Sequence, residues 1–325
     1  MFTGSLLKEI KMASTTISTA FVKQYGSTLD LLLELKGGQF EGKTLSDSIT
    51  GEEKYYDQLG SVFASEVIDR YGDSPEADIT HERRRVIATP YDVGLMLDRF
   101  DKVQMLTDPE SEYVQRMASA LNRKKTIECL KGLLGTAYSG KGGGTANEID
   151  FTYAVAAGGA GMTIAKLRSA RQLLLEANVD LDDPMNKAYI AMGPQEQMEL
   201  LATTEATSTD FNTVKALVNG EINTFMGFEF VFSNQIPYIN TGGTAYHLDF
   251  NASDEPVDTD STDVVGCFAW VKSAARVVTN PDLSTDVERR GDKRFNWYAY
   301  SCLRTGAVRM EDRKVVPILC DRSPA

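Results

Sequence analysis

The run from Thr107 to Gly135 constrains this chain more than any other stretch. Thr107-Asp108-Pro109-Glu110 supplies a Thr cap, a Glu three residues on and a Pro in the first turn. Tyr113, Met117, Leu121, Ile127, Leu130 and Leu134 then follow a helical stripe, with Arg123-Lys124-Lys125 off it and Gly132 and Gly135 closing it. The spacing predicts a helix over 109–131, roughly 35 Å long. Such a rod is long for a two-layer domain, so something must lie along it. At about 150 residues per domain, a chain of 325 residues suggests two domains.

Residues 49–101 have a different character. Short apolar stretches (Val62-Phe63-Ala64, Val67-Ile68, Val86-Ile87-Ala88) alternate with charge and are broken by Gly72-Asp73-Ser74-Pro75. This pattern predicts an extended strand excursion with a turn near its tip. The segment carries 6 basic and 12 acidic residues, net −6. A long polar hairpin with little to bury packs on something outside its own domain. The same imbalance marks residues 163–274, net −10, whereas 102–135 and 275–325 carry +2 and +3. The total of −12 argues against a sequence-independent DNA binder, which needs clustered Lys and Arg.

The remaining elements alternate in type. A helix is expected over 15–36, stopped by Gly37-Gly38, and another over 163–177 with Ile164, Leu167, Ala170 and Leu174 on one face. Residues 187–192 read as a buried strand, followed by a short helix from Gly193-Pro194 to Leu201 and another over 211–218. Phe228, Phe230 and Phe232 alternate as in a half-buried strand. The acidic stretch 240–263 is expected to be a surface loop. Strands are predicted over 276–279, 286–303, 306–310 and 315–319, with a turn at Glu311-Asp312-Arg313-Lys314 and with Trp297, Ala299, Ser301 and Leu303 on one face. The class is α+β, with strands at both ends and a compact α/β insertion between them.

No motif makes an active site. Gly135-Thr-Ala-Tyr-Ser-Gly140-Lys141 has P-loop spacing, but Gly142 stands where Ser or Thr should hold Mg²⁺, and the segment follows a helix instead of opening one. A flexible Gly-rich connector suits it better. Gly159-Ala160-Gly161 resembles the start of a dinucleotide fingerprint, but Ile164 replaces its third Gly. A nucleotide- or dinucleotide-binding α/β enzyme using 135–161 is therefore the alternative reading. Asp258-x-Asp260 lacks the residues of an EF-hand loop. Arg289-Arg290 and Lys293-Arg294, interleaved with Glu288 and Asp292, suit a solvated or interface strand better than a phosphate patch. The two histidines, His81 and His247, form no catalytic set. The four cysteines form no zinc spacing and are expected to be free thiols in a reducing compartment. The longest apolar runs, ten and eight residues, fall short of the about 20 needed to span a membrane. Without a signal-peptide pattern, a soluble cytosolic chain is expected. No catalytic residue, cofactor or metal is expected.

Several features fit one family in their order. They are Phe21-Val22-x-x-Tyr25 in the arm, His81-x-Arg83-Arg84 in the hairpin, Asp98-x-x-Asp101, and Asp108-Pro109-x-x-x-Tyr113. Gly135-x-Ala137-x-x-Gly140 and Gly306-Ala307-Val308-Arg309 to Val315-Val316 complete the series. From about Ile17 to Cys320 the chain resembles the major capsid protein of tailed bacteriophages, with the Hong Kong 97-type shell fold. The resemblance implies an N-terminal arm at 1–48 and an extended loop at 49–101 that lies over a neighbouring subunit. It also implies a peripheral domain at 102–162 and 275–325, built on the long spine helix, and an axial α/β domain at 163–274. The implied function is structural: self-assembly through pentamers and hexamers into an icosahedral virion shell enclosing double-stranded DNA, put together in the host cytoplasm. Implied partners are other copies, a separate scaffolding protein, a portal and a decoration protein, with no membrane. No Lys–Asn crosslinking pair stands out. His81, Arg83, Arg84, Arg85, Asp98 and Asp101 are the expected inter-subunit contacts, the arginines pairing with a neighbour's carboxylates.

Overall fold

The computed structural model describes residues 37–64, 66, 76, 78–97, 110–181, 183, 186–202, 224–239, 256, 264–280 and 285–321. The expected helices over 15–36 and 211–218, the Thr107 cap, the hairpin tip at 72–75 and nearly all of the acidic loop 240–263 lie outside these residues, as do Asp98 and Asp101.

In chain order the strands of the first half are β1 (Leu45–Ser48), β2 (Glu53–Leu59), β3 (His81–Ile87) and β4 (Thr89–Leu97). The long helix α1 (Glu110–Leu134) follows, then the short hairpin β5 (Ala137–Ser139) and β6 (Thr145–Asn147). The middle holds α2 (Ile164–Glu176), β7 (Ala188–Met192), α3 (Pro194–Ala202), β8 (Thr224–Phe225), β9 (Phe228–Phe232) and β10 (Tyr238–Ile239). The chain closes with β11 (Val264–Val271), β12 (Ala275–Thr279), β13 (Thr285–Arg290), β14 (Asn296–Arg309) and β15 (Val315–Cys320).

Three sheets result. The first, ordered β1-β12-β14-β13 with β4 on the other side of β14, is organised around the 14-residue β14. The second, β10-β11-β7-β9-β8 with β15 beside β11, holds the main core. Every residue of β7, β11 and β15 is buried. The eight-residue apolar run Val264–Val271, too short for a membrane, is thus a central strand covered on both faces. The third sheet, β2-β3-β5-β6, is the charged hairpin joined edge-on by the short hairpin that follows α1. Among the described residues, no helix is long and apolar enough to cross a membrane.

The expected helix is present and longer than its glycines suggested. Gly132 lies inside α1, where a Cβ would stand 2.4 Å from the Ala307 Cβ of β14. That glycine marks helix-to-sheet contact, not a helix end. Gly306 likewise does not interrupt β14, because a Cβ there would meet the Ile87 carbonyl oxygen, 2.1 Å away. The expected strand 286–303 is two antiparallel strands, β13 and β14, joined by a turn in which Arg294 and Phe295 both adopt left-handed φ, 55° and 58°. Of the residues expected on one face, Ala299, Ser301 and Leu303 are buried and Trp297 is half-buried. The Phe alternation holds through Phe230, but Val231 is buried and Phe232 exposed. β4, read as part of the excursion, instead pairs with β14 over nine residues.

Helix α2 lies where expected and is capped by Thr163, which accepts a hydrogen bond from the Lys166 N–H; Ile164, Leu167, Ala170 and Leu174 are buried. All four cysteines are free thiols. A hydrogen bond with Cys320, together with burial, holds the Cys267 thiol well above its ordinary range. Burial alone pushes Cys129 up to about 12.

Candidate functional site

The three arginines of β3 are divided by the pleat. Successive side chains on a strand point to opposite faces, so Arg84 turns one way and Arg83 and Arg85 the other. Pairing with β2 sets Asp57 opposite Arg83, Tyr56 opposite Arg84 and Tyr55 opposite Arg85.

On the inward face Arg84 is 5% exposed. Its Nη2 donates to Asp312 Oδ2 at 2.9 Å, and the other oxygen of that carboxylate accepts from Arg309 Nε at 2.7 Å. Arg309 is 0% exposed. Its Nη1 donates to the Leu133 and Gly135 carbonyls at 3.0 and 2.7 Å, and its Nη2 to the Asn147 carbonyl at 3.1 Å. The last carbonyls of a helix have no intrahelical partner and carry partial negative charge. Arg309 therefore caps α1 from within a strand. Burial works against its charge and the Asp312 carboxylate supports it. One carboxylate bridged by two guanidiniums thus ties together α1, the β5–β6 hairpin, β14 and the charged hairpin.

Two flanking contacts complete the joint. Gln58 Nε2 donates to the Met310 carbonyl at 3.0 Å. Asp47 accepts from Tyr56 Oη at 2.8 Å and Arg276 Nη1 at 3.0 Å, with Lys54 Nζ 3.4 Å away. Partial burial pushes the Asp47 carboxyl up, but hydrogen bonds from Tyr56 and Arg276 and the Lys54 charge outweigh it and hold the group below the usual carboxylate range.

The outward face is left uncovered. Arg83 pairs with Asp57 at 2.5 Å and Arg85 with Glu53 at 3.4 Å. Their guanidiniums lie 5.8 Å from the Tyr55 ring centre and 5.3 Å from that of Tyr138. The bond from Arg83 holds the Asp57 carboxyl below its ordinary value. Tyr55, Leu59, Ile87 and Tyr138 are all exposed on this sheet.

Of the expected contact residues, His81, Arg83 and Arg85 thus share one exposed face. Arg84 does not: it is buried against its own subunit, because the pleat gives it the opposite side from its neighbours. Asp98 and Asp101 are not among the described residues. Sequence reasoning missed Arg309 and Asp312 as a functional pair. The clue was an arginine embedded in an apolar run, Ala307-Val308-Arg309-Met310, with an acid three residues on.

The nucleotide-binding alternative fails on geometry. Residues 135–141 form a strand and turn, not a connector and not the entry to a helix, and the Gly140 N–H is already bonded to the Arg83 carbonyl at 3.0 Å. Ahead of α2, where a pyrophosphate would sit, the Met162 N–H donates to Glu199 Oε2 at 3.0 Å. Lys166 Nζ is bound to the Ala160 and Leu319 carbonyls at 2.6 and 2.8 Å. The chain fills that anion position with its own carboxylate. Among the described residues, no cluster of His, Cys, Asp and Glu is arranged to hold a metal.

Comparison with known proteins agrees with a structural reading. Solved capsid structures share the fold at low identity. The capsid of Ralstonia phage GP4 is 13% identical, covers 99% of this chain and 100% of its own, and has a TM-score of 0.65. The capsid of cyanophage P-SCSP1u is 17% identical, with 99% coverage of both chains and a TM-score of 0.63. The acid-stable capsid of Helicobacter pylori bacteriophage KHP30 is 11% identical, covers 98% and 100%, and has a TM-score of 0.67. No curated protein matches the chain. The phage capsid protein family model matches residues 17–322. With a Hong Kong 97-like fold and a family match over nearly its whole length, the chain belongs to the phage capsid proteins and is a structural major capsid protein of the virion shell.

Proposed function

We propose that residues 49–87 act as an extended loop that each subunit lays over a neighbour in an icosahedral shell, and that His81, Arg83 and Arg85 make the contact. The observation that carries this is the two-faced sheet of β2 and β3. Its inner face is fixed to the body through Arg84, Asp312 and Arg309, while its outer face exposes aromatics and charge pairs. The inner joint sets the direction of the loop, and the outer face recognises the next copy.

On this reading, residues 102–162 and 275–325, with α1 and the sheet around β14, form a peripheral domain, and residues 163–274, with α2, α3 and most of the sheet around β11, form an axial domain. The shell encloses double-stranded DNA without reading its sequence, and its assembly in the host cytoplasm involves a scaffolding protein, a portal and a decoration protein. The protein acts by assembling and performs no catalysis. An overall negative wall keeps packaged DNA from adhering.

The test is the double substitution Arg83→Ala, Arg85→Ala. Both side chains make exposed pairs that water and salt screen, so the subunit should melt within a few degrees of wild type. Shell yield should fall severalfold, measured by sedimentation of assembled particles. Unchanged yield would contradict the assignment.

A further inference from the structure

Two features of the same chain are complementary: an exposed apolar cluster, and a recess that the described residues leave open. Beyond the paired part of β2, the backbone leaves the sheet at Gly60 and carries Val62 and Phe63, with Phe63 88% exposed. Leu59, just before them, is also exposed. Leu59, Val62 and Phe63 together make an exposed apolar cluster, the kind of surface that marks an interaction site.

A recess of about 300 Å³ lies between α1 and the segment leading into β1. It is lined by Phe40, Thr44, Lys125, Thr126, Cys129 and Val277. Its floor is firm. Phe40 stacks with Phe268 and lies 5.5 Å from the Trp270 ring centre, and the Trp270 Nε1–H donates to the Lys43 carbonyl at 3.0 Å. Its rim is polar, with Lys125 Nζ 2.6 Å from Glu41 Oε1. A cavity of about 150 Å³ accepts a benzene ring, so this one has room for a phenyl group with an aliphatic neighbour. Charge agrees as well. Glu66 follows Phe63 three residues on in an acidic stretch of the sequence, and Lys125 of α1 lines the recess.

We propose that the recess over α1 receives Phe63, with Val62 beside it, from a second copy of this chain. The pairing is heterologous, knob on one subunit and hole on the next, which is the contact type that generates rings. It rests on the shell reading, adding to it a specific hydrophobic latch distinct from the charged face of His81, Arg83 and Arg85.

A side-chain-resolution map of the wild-type shell tests it directly. The expected result is the Phe63 ring of one subunit in van der Waals contact with Phe40, Cys129 or Val277 of its neighbour. A recess that is empty, or filled by any other segment, overturns the latch while leaving the shell reading intact. Failure of the chain to form shells at all overturns the shell reading itself. In solution, Phe63→Ala should lower shell yield about tenfold or more, and Phe63→Tyr should restore most of it. The subunit's melting curve should stay unchanged, because the side chain is bare in the free subunit. Normal yield from Phe63→Ala, or loss of the subunit's fold, would also overturn the proposal.

Discussion

Arg309 carries a full charge where water does not reach, and each of its bonded N–H groups meets an acceptor of a different element. Replacing it with Met keeps bulk but strands the Leu133, Gly135 and Asn147 carbonyls and half of the Asp312 carboxylate. We expect a loss of about 3–5 kcal/mol in urea unfolding, against little change for Arg83→Ala, whose pair is exposed and screened. Comparable losses for the two would show that the buried joint is not special. Asp47 supplies an acid response. Its folded pKa is depressed, so its contribution is complete above the ordinary carboxylate value of about 4 and is lost as pH falls through the lower folded value. Asp47→Asn should therefore flatten the decline in stability below about pH 4, and an unchanged acid limb would refute this. Cysteine labelling checks burial, since only Cys302 of the four is partly exposed. Brief alkylation of the native protein should modify at most that one, and all four after denaturation. The sequence marks three consecutive arginines on one strand but not which way each points. The adjacent apolar residues Val86 and Ile87 leave the phase of alternation undecided, and only the pairing with β2 fixes it.

At the scale of elements, the long helix was legible because periodicity, cap and length agree, and α2, β7 and β15 were legible for similar reasons. Boundaries were not, where a glycine serves packing instead of punctuation. Gly132 is the clearest case, with β14 passing directly beneath α1. Gly132→Val should cost about 1–3 kcal/mol through overpacking, read as a lower melting temperature of the free subunit. A neutral result would mean the two elements are not held in contact. The β13–β14 turn escaped notice because Arg294 and Phe295 take left-handed φ that a sequence usually marks with Gly or Asn. The placement of β4 beside β14 was equally hidden. Its alternation is that of any half-buried strand, and its partner lies some two hundred residues downstream.

For the whole molecule, the net charge of −12 is less informative than its distribution. The hairpin and the 163–274 insertion carry the negative excess, whereas the segments containing α1 and the C-terminal strands are mildly basic. Contacts between such surfaces should weaken with salt, because exposed charges are screened over about 8–10 Å at physiological ionic strength. Shell yield should fall as salt is raised through the range where this length shortens, and a flat yield would count against charge-guided tiling. The Phe63 latch, being apolar, should make the residual salt-independent part. The fold class and the shell function were recoverable from element order. Which strand faces the subunit covers for itself, as with Arg84 turned inward and Arg83 and Arg85 outward, was not readable from the sequence. Shell formation is tested by imaging the purified protein by electron microscopy over a range of concentrations, with and without a scaffolding partner. Closed shells or five- and six-fold rings are the predicted result, and particles that remain monomers or dimers under every condition would contradict it.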